Sequence, residues 1–259
     1  MKKQPKGLSM RTAYLAGFLS GAILCLVYIF QTGYSSSVSP VSNVLLLLSS
    51  TVALGSAAFA LKKYWKNLGD KYSRIWLFFT AGLLIWFVSK VSSSIYTLSF
   101  TAQVPYPSVA DALWLVGYVP IFAAMHSYLR GFGFSLSKPR YSAFATTISW
   151  VLLAVFVLLM PPVAAANDEA FVLLSIVYLG LDLSLLSLSI HGLFVFFNGK
   201  IGVAWAFLSS ALFLNAVGNM LFSYATQNGT YYSGHSLELL FHFSYLFCTL
   251  AFYTHVKEL

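Results

Sequence analysis

Eight apolar stretches, each about as long as a membrane-crossing helix, dominate this sequence of 259 residues. A helix needs about 20 mostly apolar residues to cross a hydrocarbon core about 30 Å thick. Lipid offers no hydrogen-bond partner to the backbone, so apolar spans of this kind fold as α-helices. We therefore predict an all-α, polytopic membrane protein with eight transmembrane helices, at about 12–31, 42–61, 75–97, 108–129, 143–160, 171–197, 203–225 and 237–256.

Charged side chains make up only 8% of the chain, whereas soluble domains carry about 25%. This scarcity excludes an ordinary soluble domain. The longest break on the basic side, from about 62 to 74, is too short to fold alone. We expect a single transmembrane domain over residues 1–259, in contact with the lipid bilayer.

The distribution of Lys and Arg predicts the orientation. Of the fifteen, all but Lys90 lie on one side of an eight-span topology, and the breaks 32–41, 98–107, 161–170 and 226–236 contain none. By the positive-inside rule, both termini are cytoplasmic in a cell membrane. The same bias explains the net charge of +8, so no nucleic-acid partner is expected. The cytoplasmic basic residues are Lys2, Lys3, Lys6, Arg11, Lys62, Lys63, Lys66, Lys71, Arg74, Arg130, Lys138, Arg140, Lys200 and Lys257.

The chain also shows an internal similarity. An offset of 127 places 108–118 on 235–245 and pairs acid with acid, Leu with Leu and Tyr with Tyr. Four helices per half return the chain to its starting side, so the halves 12–130 and 143–257 would be parallel repeats. Chance similarity between two amphipathic helices is the alternative.

The fourth span begins with a helix-start signal. Ser108 is placed to act as the N-cap, and Asp111, three residues on, completes a variant of the capping box. Asp111 also favours the positive end of the helix dipole. A capping role and a role in ligand binding are compatible, and both stay open.

The same region carries a recognisable motif. The run at 105–118, PYPSVADALWLVGY, resembles the P-[FY]-P-S-x-A-D-x-x-[WY]-L-x-x-Y signature of multi-helix membrane sensory regions. In bacteria and archaea these precede diguanylate cyclase or histidine kinase output domains. The span before it, with Trp86 and Tyr96, is similar to the helix that leads into that signature. The resemblance implies a sensory function. Since these residues include no output domain, we expect a separate cytoplasmic signalling protein as partner.

Lys90 lies inside the third span. It is about 15 residues into the span, roughly 22 Å from the cytoplasmic face at 1.5 Å per residue. A lone ammonium at that depth is costly and normally pairs with an acid or lines a wet cavity. Two interpretations stay open: the lysine stem extends to the outer interface, or the ammonium forms a buried ion pair with Asp111 or Glu238.

Aromatic side chains crowd the outer ends of the spans, where an interfacial belt accounts for many of them. Two matching sets nevertheless share a helical face with an acid. If the halves pack together, these sets would line a pocket that opens outward and binds a small or lipophilic ligand. The residues predicted to bind it are Asp111, Trp114, Tyr118, Glu238, Phe241 and Tyr245.

Further polar side chains lie within the later spans. Asp182 is near the middle of the sixth, and Asn215 and Asn219 share a face of the seventh. Such faces meet protein or water rather than lipid. Hydrogen bonds between helices, worth about 1 kcal/mol each, account for them. A polar pathway or a ligand cavity is the alternative.

No cofactor, metal or catalytic motif is expected. His126 and His191 could be axial ligands of a haem, but interfacial His is common. The sequence has no Gly-rich phosphate loop, HExxH motif or nucleophile elbow. We do not expect an enzyme, although intramembrane hydrolysis stays open.

Three functions follow from these features. The first is a membrane-embedded sensory or ligand-binding module that acts through a cytoplasmic partner. The second is a small-solute or proton-coupled transporter, with Lys90, Asp182 and Asn219 along its path. The third is an accessory or structural subunit of a larger membrane complex, which fits the short loops.

Overall fold

The computed structural model describes residues 9–30, 38–65, 69–100, 104, 108–131, 149, 169–196 and 202–258. Within these residues the chain forms seven α-helices and no strand. In chain order they are α1 (Met10–Phe30), α2 (Val38–Tyr64), α3 (Lys71–Phe100), α4 (Val109–Gly131), α5 (Glu169–Phe196), α6 (Gly202–Gln227) and α7 (Glu238–Glu258).

All seven described helices are long and apolar enough to cross a membrane, which confirms an all-α, multi-pass class. The remaining predicted span, 143–160, lies outside the described residues except for Ser149, so the count of eight stays a prediction. Helix ends differ from the sequence prediction: α3, expected over 75–97, is Lys71–Phe100. At the start of α3, the Arg74 amide donates a hydrogen bond to the Asp70 carbonyl, so the helix already includes the polar turn before the predicted span.

Six of the described helices pack as a closed ring. Each helix from α2 to α7 packs on the next, and α7 also packs on α2. Helix α1 lies outside the ring, against α7, with much of its apolar surface exposed. Gly17 and Gly21 face α7, and a methyl group at Gly21 would lie 2.9 Å from the Phe243 ring. Glycine therefore permits the close approach of α1 to α7.

One end of the ring is basic and packed with aromatic side chains. Tyr64 stacks on Trp76 with centroids 5.8 Å apart, and the Trp76 and His255 centroids are 4.3 Å apart. Lys63 Nζ donates to the Val256 carbonyl at 3.0 Å, which joins the ends of α2 and α7. The opposite end, where α4 and α7 begin, holds a cavity.

Two pairs of helices have bounds that are related by the sequence offset of 127 residues. Moving α4 on by 127 residues gives 236–258, close to the bounds of α7, and moving α3 gives 198–227, close to those of α6. Moving α1 gives 137–157, of which the structure describes only Ser149. The repeat halves 12–130 and 143–257 therefore stay a prediction.

Candidate ligand cavity

A cavity of about 250 Å³ lies inside the ring, at the end where α4 and α7 begin. All six ring helices contribute to its wall, together with the segment between α6 and α7. The apolar part of the wall is mostly aromatic, and the polar part includes an ammonium, two carboxylates and several amides and hydroxyls. The lining includes Asn43, Trp86, Lys90, Ser93, Asp111, Trp114, Tyr118, Tyr178, Asn215, Asn219, Phe222, Tyr231, Glu238, Phe241 and Tyr245.

The structure brings the sequence-predicted site residues together. The two matching sets on α4 and α7 both line this cavity, as do Lys90, Asn215 and Asn219. Asp182 is the exception, because it lies behind Tyr118, to which it is hydrogen-bonded. Ligand binding itself stays a prediction.

Trp86 organises the aromatic wall. Its Nε1 donates to the Trp114 carbonyl at 2.9 Å, and its ring stands edge-on to Tyr118 with centroids 5.2 Å apart. Gly117 makes room for the indole, since a methyl group there would overlap it. These contacts between α3 and α4 hold the aromatic side chains of the cavity wall in place.

Asp111 caps α4, as predicted. Its Oδ2 accepts from the Ser108 amide and hydroxyl, both at 2.7 Å, and its own amide lies 3.4 Å from Ser108 Oγ. These reciprocal contacts form the capping box. The Tyr178 hydroxyl is 3.0 Å from the Asp111 carbonyl and 3.4 Å from Oδ1. The start of the motif, 105–107, lies outside the described residues.

Glu238, at the start of α7, is only 2% exposed, and both of its oxygens are occupied. Oε2 accepts from the Tyr28 hydroxyl at 2.7 Å and from the Ser42 hydroxyl. Oε1 accepts from the Tyr231 hydroxyl and the Gly234 amide, both at 2.9 Å. One buried carboxylate thus joins α1, α2 and the segment before α7 to the start of α7.

This network extends on both sides of Glu238. The Tyr28 hydroxyl also lies 3.1 Å from His242 Nε2, and the Ser49 hydroxyl lies 2.8 Å from Nδ1 of that ring. In the segment before α7, burial raises the pKa of Tyr231 well above its usual range, and the charge of Glu238 adds to this. The Tyr231 phenol therefore keeps its proton and remains a donor to Glu238.

Lys90 lines the cavity from α3. Its Nζ lies 3.5 Å from the Asn43 side-chain oxygen, at the outer limit of a hydrogen bond. Glu238 attracts it electrostatically. Within the described part of the chain, however, no carboxylate forms a contact ion pair with it. The ammonium therefore lies at the cavity and not in a contact ion pair with Asp111 or Glu238, which was one of the two interpretations left open by the sequence.

Asp182 lies one layer behind the cavity and is 3% exposed. Its Oδ1 accepts from the Tyr118 hydroxyl at 2.6 Å, and its Oδ2 accepts from Asn219 Nδ2 at 2.9 Å. Asn215 Nδ2 is 3.5 Å from Oδ1. The polar faces of α5 and α6 thus meet as predicted, through neutral donors, and Tyr118 and the two asparagines connect them to the cavity.

The structure does not favour the haem hypothesis. His126 is exposed, whereas His191 is buried and its Nδ1 donates to the Ser187 carbonyl of its own helix at 2.7 Å. The two imidazoles therefore lie in different environments. Among the described residues, no group of three His, Cys, Asp or Glu side chains is placed to hold a metal ion.

Some contributors to the site were missed by sequence reasoning. Asn43, an amide near the start of an apolar span, contacts Lys90, and Tyr28 of α1 binds Glu238. A polar group within an apolar span was the available signal in both cases. The sequence does not show which helices are neighbours, so neither partner could be assigned.

Comparison with known proteins finds no match, whether to protein-family models, to curated proteins or to solved structures.

Proposed function

We propose that this protein is a membrane-embedded sensory module that binds a small ligand in the ring cavity. The observation behind this proposal is that two matching sets of residues on α4 and α7 line one cavity of about 250 Å³. A cavity of that size has room for several water molecules or one small organic molecule. Aromatic walls with a few fixed polar groups are the usual form of a small-molecule site.

The proposed orientation places the cavity at the outer side of a cell membrane and both termini in the cytoplasm. Basic residues support it, because Lys62 and Lys63 end α2, Arg130 ends α4 and Lys257 ends α7. These helix ends lie away from the cavity. Lys and Arg are retained on the cytoplasmic side, which places the opposite end of the ring, with the cavity, at the outer side. The ligand would therefore enter from outside.

The proposed site lies between two repeated halves of four helices. The acid, the next aromatic residue and the tyrosine of each half contribute to one wall, and the offset between them is 127 throughout. The pairs are Asp111 with Glu238, Trp114 with Phe241 and Tyr118 with Tyr245. A ligand held between the halves would change their relative position.

Helix α7 is the proposed output element. It begins at Glu238 in the cavity wall and ends with His255 and Lys257 at the basic end of the ring. Helix α1 packs along it through Gly17 and Gly21. A small shift of α7 on ligand binding would therefore move surfaces at the cytoplasmic side. A separate kinase or cyclase, as the motif resemblance implies, would detect that shift.

Purification of the tagged protein from its native host in mild detergent tests this function. We expect a cytoplasmic kinase or cyclase in near-stoichiometric amount. Co-purification with the subunits of a membrane enzyme complex would contradict the proposal and indicate an accessory subunit. Purification without any partner would contradict it as well.

Transport is a second candidate, favoured by the hydrogen bonds that run from the cavity to Asp182. Tyr118 and Asn219 line the cavity and both bind this carboxylate near the middle of α5. Buried acids in such positions carry protons or ions in many transporters. Solute or proton flux in proteoliposomes that disappears with Lys90→Met would support transport, and absence of flux in the wild type would exclude it.

A further inference from the structure

The hydrogen-bonding groups of the cavity indicate the charge of its ligand. Building on the sensory function above, we propose that the ligand is a small organic monocarboxylate with one aromatic ring, or an apolar body of that size. Its carboxylate accepts hydrogen bonds from Lys90, and its apolar body lies against the aromatic wall.

Glu238 has no remaining capacity to bind a cationic ligand. A carboxylate has about four lone-pair positions, and donors already occupy four on Glu238. It also lies in the first turn of α7, where the helix dipole places about half a positive charge. A ligand ammonium would have to displace a buried donor such as Tyr28.

Asp111 is compensated within its own helix. Its Oδ2 accepts two bonds from Ser108, and Oδ1 is next to the Tyr178 hydroxyl. The first turn of α4 adds the positive end of a second helix dipole. The charge of each cavity acid is thus balanced by local donors, and neither acid needs a ligand.

Lys90 is different, because an ammonium has three donors and, among the described residues, its one acceptor contact is a weak one, to Asn43 at 3.5 Å. It lies in the third-last turn of α3, on the same face as Trp86, Ser93 and Thr97, which also line the cavity. The hydroxyls of Ser93 and Thr97 already donate to α3 carbonyls. Lys90 is therefore a cationic donor at the cavity that lacks a strong acceptor among the described residues, which suits a single negative charge.

The rest of the wall sets the size of the ligand. Trp86, Trp114, Phe222 and Phe241 line the cavity. Its volume of about 250 Å³ is large enough for one aromatic ring with a short substituent. Aromatic rings prefer to pack against one another in offset or edge-on arrangements. A ligand ring could pack in this way against the aromatic side chains of the wall.

Isothermal titration calorimetry in mild detergent tests the proposal with benzoate, benzamide and benzylamine, which differ mainly in charge. In the wild type we expect benzoate to bind at least about tenfold more tightly than benzamide, since its hydrogen bonds to Lys90 are charge-assisted. Lys90→Met should remove that preference while benzamide still binds, which also shows that the cavity is intact. Lys62→Met, at an exposed cytoplasmic lysine, should change neither affinity.

Several results would overturn the proposal. They are benzamide or benzylamine binding as tightly as benzoate, a benzoate preference that survives in Lys90→Met, and absence of binding by all three probes. If Lys90→Met binds no probe at all, Lys90→Gln replaces it, and the same criteria apply. The sensory function is judged separately, by the partner that co-purifies from the native host.

Discussion

Glu238 and Asp111 occupy matching places at the starts of α7 and α4 but hold different structures together. Asp111 bonds mainly within its own helix start, through Ser108. Glu238 accepts from Tyr28 of α1, Ser42 of α2 and the segment before α7. A local cap and a junction between helices thus arise from the same kind of residue at the same kind of position.

Glu238→Gln is expected to lower the free energy of unfolding by about 2 kcal/mol. The substitution replaces one carboxylate oxygen by an NH₂ group, which donates hydrogen bonds and does not accept them. The two donors that share that oxygen of Glu238 would then face an N–H group. The measurement is unfolding by SDS titration in mixed micelles. Glu169→Gln, at an exposed acid in the first turn of α5, is the matched control and should stay within about 0.5 kcal/mol. Equal effects would contradict the role of Glu238 as a junction.

Tyr118→Phe is expected to destabilise the protein by about 1.5–3 kcal/mol, because it removes a hydrogen bond to a buried carboxylate. Tyr245 is at the matching place in α7, and its hydroxyl has no hydrogen-bond partner among the described residues. Tyr245→Phe should therefore cost less than about 0.5 kcal/mol. The same unfolding assay compares them, and a larger loss for Tyr245→Phe would refute the assignment.

At this scale, sequence reasoning succeeds where the partners are local. The cap at Ser108 and Asp111 follows from their spacing, because both lie in one helical turn. The donors to Glu238 could not be foreseen, since Tyr28 is 210 residues away and Ser42 is 196 residues away. The position of Lys90 inside an apolar span is evident from the sequence, but its contact with Asn43 depends on how α2 packs on α3.

Among the helices, α3 and α4 approach through glycine. Gly82 of α3 faces Ile121, and Gly117 of α4 faces the Trp86 indole. The helix spans themselves were predictable, because apolar length alone determines which segments cross a membrane. The helix ends were not, because α3 continues into polar residues that hydropathy does not count as part of a span.

Gly117→Ala should lower the free energy of unfolding by about 1–3 kcal/mol, since the added methyl group would force Trp86 out of its position. Tryptophan fluorescence should change with it. Gly180→Ala is the control, because Gly180 is also helical but has nothing within 4 Å of the added group. Alanine there should be neutral or stabilising by up to about 1 kcal/mol. A destabilising Gly180→Ala with a neutral Gly117→Ala would contradict the packing.

For the molecule as a whole, six of the seven described helices close into a ring with a cavity at one end and basic residues at the other. Hydropathy and charge pattern predicted the class and the segments that carry the site. Ring closure depends on which faces of α2 and α7 meet, and a single sequence does not encode that in any local pattern. The meeting of Asp182 with Tyr118 follows from the same packing.

Orientation can be measured with single cysteines in intact cells, after replacement of Cys25 and Cys248. Asn228→Cys lies in the exposed turn after α6, and Gly69→Cys lies in the exposed turn before α3. We expect a membrane-impermeant maleimide to label Asn228→Cys and not Gly69→Cys, because the positive-inside rule predicts that the basic ends of the helices are cytoplasmic. The reverse pattern would place the cavity on the cytoplasmic side.

The most direct test of the central claim is native mass spectrometry of protein purified from its own membranes, with and without a blocked cavity. Ser93 lines the cavity and donates to a carbonyl of its own helix, so Ser93→Phe fills space without breaking a bond between helices. Ser184 makes the same kind of bond on an exposed face, so Ser184→Phe is its control. We predict a bound small molecule in the wild type and in Ser184→Phe, and none in Ser93→Phe. A wild-type protein without a bound small molecule, or one that Ser93→Phe still retains, would contradict a ligand site in the ring.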